Sequence, residues 1–118
     1  MRTTTRSFVP SPENPVYTLA QAEVVLAEYV RLQCAPRREA QQPDSGSATF
    51  AVEFDTLGVA TAADLQQSTR DEMLDGIFGT VAAQLTVPPA PQRHRDRVEM
   101  RFRCDGDSAT VRVTAAAR

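Results

Sequence analysis

The sequence predicts an α+β domain: a small antiparallel sheet of three to four strands with two helices packed on one face, in the order α-β-β-α-β-β. Two patterns carry that expectation. Apolar residues recur at helical spacing in two segments, around 19–32 and 73–85. Strict apolar–polar alternation at 50–54 and 98–104 marks strands with a single apolar side. Strands of that kind belong in an antiparallel sheet covered on one face and wet on the other.

The elements follow in order. Residues 1–15 are rich in Thr, Ser and Pro and read as a flexible tail or the end of a linker, with prolines at 10, 12 and 15 discouraging helix. Residues 16–118 then form the single domain. Thr18-Leu19-Ala20-Gln21 fits a capping box, in which Thr18 accepts from the third helical N–H and Gln21 reaches back. Leu19, Ala22, Leu26 and Tyr29, widened by Val25, Val30 and Leu32, give the first helix its apolar stripe. Pro36 is expected to stop it near Gln33 and Cys34. Turn formers fill residues 35–47, an exposed loop.

Phe50, Val52 and Phe54 face one way along the next segment, and Thr49, Ala51, Glu53 and Asp55 the other. Asp55-Thr56-Leu57-Gly58 turns the chain, with Gly58 free to take positive φ, and residues 59–65 return as a strand. Thr69 and Glu72 have capping-box spacing at the start of a second helix, where Asp71 and Glu72 suit the positive terminus. Met73, Leu74, Ile77, Phe78, Val81 and Leu85 form its apolar face. Gly76 and Gly79 weaken that helix unless close packing against the sheet uses them. The run Val87-Pro88-Pro89-Ala90-Pro91 ends it in an extended segment. Val98, Met100, Phe102 and Cys104 alternate with Glu99, Arg101 and Arg103 in a third strand. Asp105-Gly106-Asp107-Ser108 turns into a last one carrying Val111 and Val113.

Composition narrows the functional classes. With 118 residues there is room for one core, large enough to fold without metal. The 13 basic residues, all Arg, nearly balance 15 acidic ones, so no general phosphate-binding surface is indicated. The arginines nevertheless cluster: Arg93, Arg95, Arg97, Arg101 and Arg103 lie close together around His94. A nucleic-acid platform would want exposed aromatic rings among them, and Phe102 faces the other way. No stretch approaches the roughly 20 apolar residues of a membrane span, and the N-terminus lacks the apolar run of a signal peptide.

Catalytic chemistry finds no foothold. His94 is the only histidine and reads as an exposed loop residue. No phosphate-binding glycine motif occurs. Asp71, Glu72 and Asp75 suit helix-terminus charge better than an acid–base pair or a cation site, and Asp105-Gly106-Asp107 lacks the remaining ligands of a calcium loop. The expectation is therefore a non-enzyme with no cofactor and no metal. Cys34 and Cys104 have no CxxC or histidine companion. They are either one disulfide, from the end of the first helix to the third strand, or two small buried residues.

An ordered series of features resembles one family. Phe50-Ala-Val-Glu-Phe-Asp-Thr-Leu-Gly-Val59 resembles a first strand and glycine turn, and Ala63-Asp-Leu-Gln-Gln-Ser-Thr69 a second strand. Met73-Leu74-Asp75 resembles the start of that family's helix, Val87-Pro88-Pro89-Ala90-Pro91 its proline-rich segment, and Val98-Glu-Met-Arg-Phe102 its closing strand. Together they resemble the C-terminal domain of the TonB/TolA energy-transducer superfamily, and the preceding helix is more like the TolA branch.

The resemblance implies a protein–protein interaction domain. Such domains bind extended segments of outer-membrane receptors or translocated proteins by adding a strand to a sheet edge. It also implies a periplasmic location if an anchor or signal has been removed from the parent protein, and a cytoplasmic one otherwise. The expected docking edge is the strand of Val98, Glu99, Arg101 and Arg103, or the strand after it, with the arginines selecting acidic partner residues. A homodimer is another way to satisfy open edges. The alternative is a stand-alone cytoplasmic regulatory or nucleic-acid-binding module using the Arg-rich strand.

Overall fold

A computed structural model describes residues 6–117. Two helices lie against one face of a five-stranded, wholly antiparallel sheet. In chain order the elements are β1 (Ser7–Phe8), α1 (Leu19–Glu39), β2 (Ser45–Phe54), β3 (Ala60–Gln67), α2 (Glu72–Ala82), β4 (His94–Asp105) and β5 (Ser108–Ala117). Across the sheet the strands run β1-β3-β2-β4-β5.

The α+β class is as expected, but the strand number and element order are not. The fifth strand comes from the segment expected to be a free tail. Residues 1–5 of that segment lie outside the described residues; residues 6–15 belong to the fold. Ser7 pairs with Asp64 and Phe8 with Ala63 on the outer side of β3. Farther on, Gln84 Nε2 donates to the Pro15 carbonyl, and the Tyr17 N–H to the Gln84 carbonyl. Burial of one ring, Phe8, against the core offsets the proline-rich composition around it.

Helix α1 begins on the expected capping box at Thr18 and Gln21. Its buried stripe is Ala22, Leu26, Val30 and Cys34, which leaves Tyr29 and Leu32 exposed. The helix also runs through Pro36 to Glu39 rather than stopping before it. Pro36 lacks the N–H that the Leu32 carbonyl would accept, but Leu32 lies on the exposed side, where solvent can take its place. The extra turn carries Arg37 into the interior. Its guanidinium donates to Asp71 Oδ2 (2.8 Å) and the Pro43 carbonyl (2.7 and 3.1 Å), with its carbon 5.1 Å from the Phe102 ring centre.

The start of α2 departs from expectation for a related reason. Asp71, not Thr69, is the N-cap, accepting from the Met73 and Leu74 N–H groups. Thr69 is drawn to the buried carboxylate of Asp75, to which its N–H and Oγ1 both donate, as does Ser68 Oγ. Leu74, Phe78, Val81 and Leu85 are buried as expected, but Met73 is exposed.

Phe50, Val52, Phe54, Val98, Met100 and Phe102 form the sheet side of the core. Gly58, at φ +84°, serves the β2–β3 turn and also lies under the proline-rich segment, since a Cβ there would sit 1.9 Å from the Val87 carbonyl oxygen. Asp105 pairs with Ser108 across Gly106 and Asp107, so the two acids belong to a tight hairpin turn.

Candidate functional site

Alternation places every second residue of the sheet on the face away from the helices. Pairing brings Glu53 of β2, Asp64 of β3, Arg95, Arg97, Glu99, Arg101 and Arg103 of β4, and Arg112 of β5 onto that face. Arg95 pairs with Asp64 at 3.1 Å and Arg101 with Glu99 at 3.3 Å. Arg97, Arg103 and Arg112 form no ion pair among the described residues. Besides Glu53, the central strand contributes small groups here. Thr49 and Ala51 are buried without any helix above them, because the longer side chains of Glu99, Arg97 and Asp64 stand in register beside them.

The strand expected to be a docking edge is not one. β4 has β2 on one side and β5 on the other. Val98 is fully buried in the core, while Glu99, Arg101 and Arg103 belong to the middle of the charged face. Alternation indicates which way a side chain points, but not which strands flank it. The following strand, β5, is an edge of the sheet.

The geometry of that edge is set by a contact the sequence did not suggest. The Val113 N–H donates to Glu23 Oε2 of α1 at 2.9 Å, so it points away from β4. By the two-residue repeat, the N–H and C=O groups of Ala109, Val111 and Ala115 point the same way. Glu23 thus occupies one outward donor in the middle of the edge. The adjoining wet face carries Arg112, flanked in register by Arg101 of β4.

The remaining candidate residues are occupied locally. His94 is not in a loop: it lies in β4, half-buried, with its ring 5.3 Å from that of Phe54 and nearly parallel to it. Asp71 is committed to capping and to Arg37, Asp75 to Ser68 and Thr69, and Glu72 is exposed. No group of three or more potential metal ligands occurs among the described residues. No helix of the described residues is long and apolar enough to cross a membrane. Cys34 and Cys104 are joined in a disulfide, with Cα atoms 5.6 Å apart, tying the end of α1 to β4. No protein-family model, curated protein or solved structure matches the chain.

Proposed function

We propose that this domain binds an extended segment of another protein by strand addition along the outer edge of β5. The observation that supports it most directly is the edge itself: a ten-residue strand with β4 on one side and, among the described residues, no strand on the other. An incoming strand would bond to the outward groups of Ala109, Val111, Val113 and Ala115. Its residues on the wet face would meet Arg112, which favours acidic side chains there and faster encounter at low salt.

The TonB/TolA resemblance points the same way, to a periplasmic domain that receives an extended segment of an envelope or transported protein. A disulfide is in keeping with an oxidising compartment of that kind. Among the described residues the wet face presents no aromatic ring on which a base could stack, so the arginines fit a protein partner better than nucleic acid.

Titration of isotope-labelled protein with a peptide of alternating Glu and Val tests the reading. Amide shifts centred on Ala109, Val111, Val113 and Ala115 are expected. Shifts that spread over the helices or the wet face while sparing β5 would sink it. Glu23→Ala should tighten peptide binding about fivefold, because the incoming strand no longer displaces a hydrogen bond worth about 1 kcal/mol. In the free protein the same change should accelerate hydrogen exchange at the Val113 amide by a similar factor.

A further inference from the structure

Helix α1 lies along the rim of the sheet, over β5. Two contacts fix the alignment. Glu23 Oε2 accepts from the Val113 N–H at 2.9 Å, and Cys34 Sγ sits 3.8 Å from the Ser108 carbonyl oxygen. Residues 23–34 of a helix and 108–113 of a strand each span roughly 16–17 Å. The two elements therefore run side by side in opposite directions, and Arg38 with Asp107, 3.8 Å apart, continues the match. Helical residues three and four apart share a face, so Ala20, Glu23, Ala27 and Arg31 form one row above the outer edge of β5. In that alignment Ala20 falls near Ala115, Ala27 near Val111 and Arg31 near Ala109.

The row has a chemical pattern. Ala27 is half-buried against the core and leaves a gap between the longer side chains of Glu23 and Arg31. Arg31 is occupied by Glu28 at 3.1 Å. Glu23 is half-buried and has no ion pair among the described residues, where the Val113 N–H is its hydrogen-bond donor. A strand added to β5 takes that N–H for its own carbonyl. The Glu23 carboxylate is then left facing the incoming side chain opposite Val113, where a cation restores its partner. A second copy of the chain cannot supply one. On its inward side β5 carries only alanine and valine, and an antiparallel pairing centred on Arg112 sets two arginines face to face.

We infer that the β5 edge selects a partner segment reading base, acid, bulky apolar residue, laid antiparallel to it. The base lies opposite Val113 beneath Glu23, the acid opposite Arg112 on the wet face, and the apolar side chain opposite Val111 in the gap at Ala27. The inference rests on strand addition at β5 and adds the sequence that this edge prefers.

The probe is the peptide Val-Thr-Arg-Glu-Leu-Thr-Val, titrated into the isotope-labelled full chain beside the same peptide with Val for its Arg. The Arg peptide should bind about tenfold more tightly, as for a close charge pair at an interface. In Glu23→Ala the two should bind alike, and Glu23→Arg should favour a third peptide with Glu in that place. Replacing the peptide's Leu by Ala should weaken binding several-fold in the wild type but not in Ala27→Leu, where the gap is already filled.

Shifts centred on β5 with equal affinity for the Arg and Val peptides overturn the inference and leave strand addition standing. So does a preference for Arg that survives Glu23→Ala. An absence of shifts at Ala109, Val111, Val113 and Ala115 with either peptide removes strand addition as well. Tighter binding of the reversed sequence overturns the antiparallel order. Concentration-dependent dimerisation that the peptide cannot displace overturns it too, by making the occupant a second copy of the chain.

Discussion

Replacing Cys34 and Cys104 together by alanine is expected to lower the free energy of unfolding by about 4 kcal/mol. The two residues are 70 apart in sequence. Cross-linking a loop of that size removes roughly 4 kcal/mol of conformational entropy from the unfolded chain. Domains of this size are stable by only about 5–15 kcal/mol, so the loss would be a large share of the total. Denaturant melts of the wild type with and without reductant, beside the double variant, provide the measurement. Reduced wild type and variant should share one midpoint, well below that of the oxidised protein. A thiol count on the unreduced, unfolded chain should find no free cysteine. Coincident midpoints for oxidised and reduced protein would show that the cross-link does not hold the fold. The result also bears on location, because a domain that depends on this bond would lose much of its stability in a reducing cytosol.

What the sequence made legible, and what it hid, divides along the range of the interactions. Thr18 with Gln21, the alternation around Phe50, and Gly58 at positive φ are local facts, fixed within a few residues. They read correctly. Contacts across the fold overrode local signals elsewhere. Thr69 and Glu72 have capping-box spacing, yet Asp75 draws Thr69 away and Asp71 takes the cap. Pro36 is a sound stop signal in isolation, but here it sits one residue before a guanidinium that the interior holds.

Strand β1 was hidden because two residues carry no period, and only Phe8 stood out in a proline-rich stretch. Its counterpart, Gly79, signalled close packing against the sheet but not that Phe8 would supply it. The candidate edge was half legible. The alternation at 98–104 gave the correct face for Arg101 and Arg103, but a central and an outer strand share the same pattern. Only pairing through Ala115, Val113 and Val111 shows that β5 covers β4. Glu23 gave no signal at all, because an acidic residue on an amphipathic helix usually faces solvent.

Asp71→Ala should cost about 4 kcal/mol, the largest effect expected of a single charged residue here. Two separate losses combine. The N-cap of α2 disappears, worth about 1 kcal/mol. Arg37, only 7% exposed in its side chain, is also left without its carboxylate. Removing one partner of a buried pair costs about 3–5 kcal/mol in general. The lower figure applies here, because the Pro43 carbonyl and the Phe102 ring still receive the guanidinium.

Two companion substitutions separate the contributions. Asp71→Asn keeps a good cap and loses only the charge, so it should be milder than alanine. Arg37→Met removes the buried cation while keeping its bulk over Phe102, and leaves Asp71 satisfied by the Met73 and Leu74 amides. It too should cost less than Asp71→Ala. Urea melts of the three variants should therefore rank Asp71→Ala lowest. If Arg37→Met were the most destabilised instead, the guanidinium would be holding the α1–α2 junction through Pro43 and Phe102, with the carboxylate incidental. Because Arg37 reaches its place only through the turn beyond Pro36, that outcome would also shift the reason for the long helix from the ion pair to the packing of its last turn.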